Sequence, residues 1–248
     1  MHRFFIEPAK WDPEALVLDE TEAHHARSVL RLDVGDKLVA FDGQGTEATA
    51  EVLSLDGGTA ALKTLTLTQT EPLACRVVLG QAVPKGKNMD LVVQKATELG
   101  VAQIVPVLSS RTVVSLDADD AAKKQQKWQQ TAVGACKQSG QNWLPGVAAP
   151  VAIDRFLASP PQADLVLIAS LQPGARHLKA ILAEYAELHG GDRPASVLVL
   201  VGPEGDFTPS EVNQSTSAGA LPLSLGPVVL RTETAAIYAL SILAHELF

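Results

Sequence analysis

The chain has 248 residues, 46% of them hydrophobic and 19% charged, with a formal net charge of −8. Its length fits one large domain or two small ones with ample core, and no stretch approaches the ~18 uncharged apolar residues of a membrane span. Phe4-Phe5-Ile6 is the only apolar run at the amino terminus, so no signal peptide is expected, and Cys75 and Cys136 form no C-x-x-C pair; both are expected reduced and buried in a cytoplasmic protein.

Acidity argues against a nucleic-acid partner, because a negative chain repels phosphate. The excess is uneven, however. Residues 1–72 hold thirteen acidic against six basic side chains, whereas the remainder is nearly balanced. What matters is therefore how the few basic residues cluster.

Up to about Leu67 the chain reads as short β segments: Arg3 to Ile6, Leu16 to Leu18, Lys37 to Phe41, Thr46 to Leu55 and Ala60 to Thr68. Turn signals at Asp42-Gly43 and Asp56-Gly57-Gly58 separate them, which makes a small barrel-like β domain. One helix, Thr21 to Leu30, is expected among the strands. It places His24, Arg27 and Arg31 near one face at spacings of three and four. That face is either a basic patch or a solvated surface pairing with Glu20 and Glu22.

Glu71-Pro72 serves as a linker, after which strands and helices alternate. Strands are expected at Arg76 to Leu79, Gln103 to Leu108, Leu165 to Ala169, Val197 to Val201 and Leu221 to Leu225. Helices are expected at Met89 to Leu99, Asp119 to Lys137, His177 to His189, Pro209 to Ala218 and Glu233 to Leu247. Such alternation builds a parallel α/β sheet. Gly80 to Asn88 is similar to a phosphate-binding P-loop, but it has one residue too many between its glycines and Asn88 where Ser or Thr would hold magnesium. Lys85 and Lys87 project from that loop, as backbone contacts for RNA or as ordinary surface lysines. No G-x-G-x-x-G dinucleotide fingerprint follows any expected strand. Trp128 and Trp143 are expected in the core rather than as base-stacking platforms.

The last fifty residues are the most informative. Val197-Leu-Val-Leu-Val-Gly-Pro-Glu-Gly-Asp-Phe207 and Leu223-Ser-Leu-Gly-Pro-Val-Val-Leu-Arg-Thr-Glu-Thr-Ala235 are each an apolar run breaking into a glycine-proline loop that feeds a helix. The first run has no polar residue, as a strand buried on both faces should. Thr208-Pro-Ser-Glu211 then supplies a capping box with proline at the first helical position. Two such loops at the carboxyl ends of neighbouring strands are either a pocket of the kind where open α/β sheets bind ligands or two ordinary strand-to-helix turns.

These two loops together resemble those of the SPOUT methyltransferases, and more narrowly the RsmE family of 16S ribosomal RNA uridine-N3 methyltransferases. Met1-His-Arg-Phe-Phe5, His25-Ala-Arg-Ser-Val-Leu-Arg31 with Gly35-Asp36, and Gln94-Lys-Ala-Thr-Glu-Leu-Gly-Val101 with Ile104 and Pro106 resemble further segments of that family. The likeness covers nearly the whole chain. It implies an α/β fold of SPOUT type, the α/β knot, with a PUA-like β-barrel RNA-binding domain at 1–70 and a methyltransferase domain with a carboxyl-terminal trefoil knot at 73–248.

The resemblance also implies S-adenosylmethionine as cofactor, held at Gly202, Pro203, Glu204, Gly205, Leu225, Gly226, Leu230, Thr234 and Ala235. Glycines would let main-chain groups read adenine and ribose, with Leu225 and Leu230 as apolar walls. Methyl transfer from a sulfonium needs no metal, only in-line approach and a way to handle the uracil N3 proton. Arg231 is the candidate that stabilises the charge left by that proton. Glu204 and Glu233 are available carboxylates, and the base stays unassigned. Expected RNA contacts are Arg3, His25, Arg27, Arg31, Lys85 and Lys87, on 16S rRNA within the assembled small subunit, and the protein is expected to be a homodimer. One segment departs from the family pattern: Lys137 replaces a glutamate and Gln141 an arginine, so that Lys137 is the candidate to supply the missing charge. A SPOUT enzyme of other specificity, such as a ribose 2′-O-methyltransferase, and a noncatalytic RNA-binding protein are the rival readings.

Overall fold

The computed structural model of the chain describes every residue except 56–57, 113–116 and 173, so most of the turn expected at Asp56-Gly57-Gly58 lies outside the described residues. Two compact units result: Met1–Pro72 with Val133–Leu144, and Leu73–Ala132 with Pro145–Phe248.

The first unit is a five-stranded sheet of β1 (Arg3–Phe5), β2 (Val17–Leu18), β3 (Lys37–Phe41), β4 (Thr46–Ser54) and β5 (Ala60–Gln69) in the order β1-β3-β4-β5-β2. Only the β1–β3 pair is parallel. Period-two alternation turns Ala48, Ala50 and Val52 of β4 inward, into one core with Phe4, Leu16, Leu18 and Leu38. The β3–β4 turn is fixed by buried Asp42, whose Oδ1 accepts the Gln44 and Thr46 amides at 2.7 and 2.9 Å. Residues Val133–Leu144 complete the unit: Leu144 N–H donates to Gly43 O and Gly45 N–H to Asn142 O, both at 3.0 Å.

The expected single helix around residues 21–30 is not one regular helix. Capped by Asp19, α1 (Glu20–His24) gives way to a π-helical turn at His25–Val29, in which Leu30 N–H reaches back five residues to His25 O at 3.0 Å. Arg31 then takes a left-handed φ of +56°. The spacing that aligned His24, Arg27 and Arg31 therefore does not hold. The wider turn keeps Ala26 fully buried beside Ala23 in the core, a tertiary demand that local sequence period does not carry. Trp143 is a second correction. Expected in the core, it is 37% exposed, with Nε1 donating to Thr70 O at 3.0 Å.

The second unit is a wholly parallel sheet of seven strands, built from β6 (Arg76–Ala82), β7 (Gln103–Leu108), β8 (Gly146–Val147), β9 (Val151–Ala152), β10 (Leu165–Ala169), β11 (Ser196–Val201) and β12 (Leu221–Leu223). The path runs β12-β10-β11-β6-β7-β8, with β9 also on β7. The continuous apolar run at 197–201 forms the central β11, buried on both faces as its composition requires. Pro222 is tolerated because β12 is an edge strand.

Helices α2 (Asn88–Glu98), α3 (Ala118–Ser139), α4 (Ile153–Ala158), α5 (Leu178–Leu188), α6 (Pro209–Ser217) and α7 (Thr232–Leu247) connect the strands. On one face Ile153, Phe156 and Phe207 pack on Val78, Leu198 and Leu200; α7 packs on α2 and β11. Gly80, part of the P-loop-like segment, lies inside β6, where an added Cβ would stand 2.7 Å from Leu200 Cδ2. Its glycine serves sheet packing rather than a phosphate loop. Trp128 is buried as expected, Nε1 donating to Asp90 at 3.1 Å. No described helix is long and apolar enough to cross a membrane.

Both cysteines are free and buried. Burial, reinforced by Asp164, pushes the Cys75 thiol up to about 11; burial, partly countered by Arg3, pushes Cys136 up to about 12. Since the thiolate is the nucleophile, neither cysteine should react with a disulfide reagent at pH 8 in the native protein. Both should titrate promptly in urea, and rapid native labelling would contradict their burial.

Candidate functional site

The carboxyl ends of β10 and β11 and the chain leading into α7 surround a pocket that opens to solvent. Ala169, Ser170 and Leu171 form one wall, Val201 to Glu204 with Asp206 a second, and Leu225, Gly226 and Val228 to Leu230 a third. Thr232 and Ala235, in the first turn of α7, close it.

Local chemistry holds both glycine loops in place. Asp206 N–H donates to Pro203 O at 2.9 Å, and Asp206 adopts a left-handed φ of +59° while its carboxylate accepts the Phe207 amide at 2.7 Å. This tight turn favours a glycine at 202, because an added Cβ would lie 3.2 Å from both Asp206 Oδ1 and Phe207 N, which would have to shift by a few tenths of an ångström. Gly226 has a φ of +106°, with nothing within 4 Å of where its Cβ would be. The Thr232 hydroxyl donates to Gly202 O, tying the start of α7 to the first loop.

Of the expected cofactor residues, Gly202, Pro203, Glu204, Leu225, Gly226, Leu230 and Ala235 come together on the pocket walls. Gly205 and Thr234 are exposed and are not among the lining residues. The Ala169–Leu171 wall escaped the sequence reading because it carries no glycine or charge signal. Arg231 caps α7 in an extended conformation (φ −62°, ψ 153°) and is exposed. Neither candidate carboxylate pairs with it. Glu204 accepts the Lys85 amide at 2.8 Å, and Glu233 accepts from Asn88 Nδ2 at 3.3 Å.

Glu211 holds the neighbouring framework. Its carboxylate accepts the amides of Ser110 and Thr208, each at 2.7 Å, and the Thr208 hydroxyl at 2.9 Å. Burial pushes its pKa up, but these hydrogen bonds more than offset that and hold it below the ordinary carboxylate range. Its stabilising contribution is therefore complete above the unfolded value of ~4.3 and is lost as pH falls through the lowered folded value. Glu211→Ala should cost about 1–3 kcal/mol in urea unfolding at neutral pH, with a smaller difference in acid; equal loss at both would contradict the assignment.

The expected RNA contacts fall in separate places. In the first unit Arg3 is largely engaged: it pairs with Glu47 at 2.7 Å, donates to Asn142 Oδ1 and lies 4.9 Å over the Phe41 ring. Half-buried His25 meets Phe4 edge-on at 6.2 Å. Arg27 and Arg31 are exposed and line an open groove with Val34 and Leu53. Lys137 pairs with Glu22, 5.9 Å over the Phe4 ring, so its charge is taken up inside that unit and does not replace the arginine absent at Gln141. In the second unit Lys85 and Lys87 are exposed between β6 and α2.

Comparison with known proteins agrees with this architecture. The RNA methyltransferase domain family matches residues 71–244, and the RNA methyltransferase PUA domain family matches 18–65. Ribosomal RNA small subunit methyltransferase E of Bacillus subtilis is 31% identical, over 99% of this chain and 97% of the relative. A Legionella pneumophila protein solved with bound cofactor SAM is 33% identical, with a TM-score of 0.88 over 98% of this chain and 97% of that one. Ribosomal RNA small subunit methyltransferase E from Neisseria gonorrhoeae, solved bound to S-adenosyl methionine, is 30% identical, with a TM-score of 0.85 over 99% and 98% of the two chains. With a parallel sheet carrying paired glycine loops and a β unit in front of it, the chain belongs to the ribosomal RNA small subunit methyltransferase E family, RNA methyltransferases of SPOUT type preceded by a PUA domain.

Proposed function

We propose that this protein transfers a methyl group from S-adenosylmethionine to N3 of a specific uridine in 16S rRNA, acting in the cytoplasm as a homodimer on the small ribosomal subunit. The observation that carries this reading is the glycine-lined pocket between the ends of β10 and β11 and the start of α7. Its residues fit the cofactor: Leu225, Leu230 and Val201 offer apolar surface to an adenine, and the space a side chain would fill at Gly226 is open. Gly202, Pro203, Glu204, Gly226 and Ala235 would hold it there, with Gly205 and Thr234 at the edge. The trefoil threading of the family belongs to the same reading. The homodimer belongs to that reading as well.

Bound in this pocket, S-adenosylmethionine supplies an already activated methyl, so the protein contributes placement rather than bond-breaking groups. Loss of the uracil N3 proton leaves negative charge on the adjacent oxygens, and the Arg231 guanidinium at the amino end of α7 favours that charge together with the helix dipole. A guanidinium carries only donors, so Arg231 is not the base. A target base stacked in a helix would be turned out to reach the pocket. On the RNA side, Arg27, Arg31, Lys85 and Lys87 supply exposed cations, whereas Arg3 and His25 support the fold around them.

Transfer of tritiated methyl from S-adenosylmethionine tests this. Small subunits from cells lacking the modification should incorporate label, and fully modified subunits should not. Label in ribose would favour the 2′-O reading; no label with no cofactor binding would favour the noncatalytic one.

A further inference from the structure

Arg111, outside every motif in the sequence, lies against the loop that bounds the pocket. It occupies the turn between β7 and α3, closed on itself by Ser109 N–H and Ser109 Oγ with Thr112 Oγ1, both at 3.0 Å, and by Thr112 N–H to Ser109 O at 3.0 Å. The same turn is pinned to α6 through Ser110 N–H and Glu211 at 2.7 Å. One Arg111 N–H donates to Gly205 O. Its stem crosses Gly205 so closely that a Cβ there would sit 3.3 Å from Arg111 Cδ. On the other flank of the same two residues, Lys85 N–H holds Glu204 at 2.8 Å.

Two cation-bearing turns therefore clasp consecutive residues of the pocket loop. Arg111 and Lys85 are exposed, as is Lys87, and among the described residues none of the three forms an ion pair with a carboxylate. A guanidinium has five donors, and among the described residues one of them is used here. An exposed guanidinium fork held by a closed turn suits the bidentate geometry of a phosphodiester.

We infer that Arg111 is an RNA-binding residue that seats a backbone phosphate of the substrate beside the pocket mouth, with Lys85 and Lys87 extending the same cationic rim. This rests on the reading that the pocket serves methyl transfer to RNA. A brace for the pocket loop is the competing role, and the two move different quantities. A phosphate contact changes RNA affinity and its salt dependence; a brace changes cofactor affinity and thermal stability.

The experiment uses the full chain as wild type, Arg111→Ala and Arg111→Lys. It measures binding to unmodified small subunits across a salt series, S-adenosylmethionine binding by calorimetry, and melting temperature. Arg111→Ala should weaken subunit binding roughly tenfold and reduce the salt slope by about one, with cofactor affinity within about twofold of wild type, and Arg111→Lys should recover part of the loss. Unchanged subunit binding, or weakened cofactor binding with an unchanged salt slope, would overturn the assignment. If wild type itself neither bound subunits nor transferred methyl, the functional reading would fall first and this assignment with it.

Discussion

Replacing Arg231 by alanine is expected to lower methyl-transfer turnover by ~10²–10³-fold, the size of effect seen when one fixed donor to a developing anion is removed. Leu230 and Thr232, on either side of it, line the pocket, and Thr232 is tied to Gly202 O. Its backbone is thus anchored to both glycine loops while its side chain stays exposed. Glu204 accepts the Lys85 backbone amide and Glu233 the Asn88 side-chain amide, and neither forms an ion pair with Arg231. Because Arg231 is not among the residues lining the pocket, cofactor affinity should change little. Arg231→Lys should restore only part of the rate, since an ammonium lacks the planar fork. Single-turnover transfer with a parallel cofactor titration separates the two quantities, and turnover equal to wild type would remove Arg231 from the mechanism.

Gly226→Val should cut S-adenosylmethionine affinity by at least ~10-fold. At a φ of +106° a branched residue is strained by ~1–3 kcal/mol, and its methyls would occupy pocket space that the glycine leaves open. Backbone strain alone would also lower stability, so the control is Gly191→Val. That glycine has a φ of +100° beyond α5, in open space remote from the pocket walls. Both variants should melt lower; only Gly226→Val should lose cofactor binding in calorimetry. Equal affinity in the two would place Gly226 outside the cofactor site.

Which features the sequence carried follows from physical scale. Strands β3, β7 and β10 occupy the expected bounds because apolar runs bounded by polar or glycine residues leave one way to be buried. The Thr208–Glu211 capping box was legible because both halves of its chemistry lie within four residues. By contrast, β8 and β9 are two residues each and α4 is six, too short for any periodicity. The π-helical turn at His25–Val29 depends on burying Ala26 against distant strands. In the pocket, glycine and proline marked the two loops, while the Ala169–Leu171 wall and Arg111 depend on packing between segments far apart in the chain.

The most direct test of the account is nucleoside mass spectrometry on small ribosomal subunits that lack the modification, incubated with the protein and S-adenosylmethionine. The account predicts new 3-methyluridine, about one per subunit at completion, and none with Arg231→Ala on the same timescale. A different methylated nucleoside, or none despite measured cofactor binding, would contradict it.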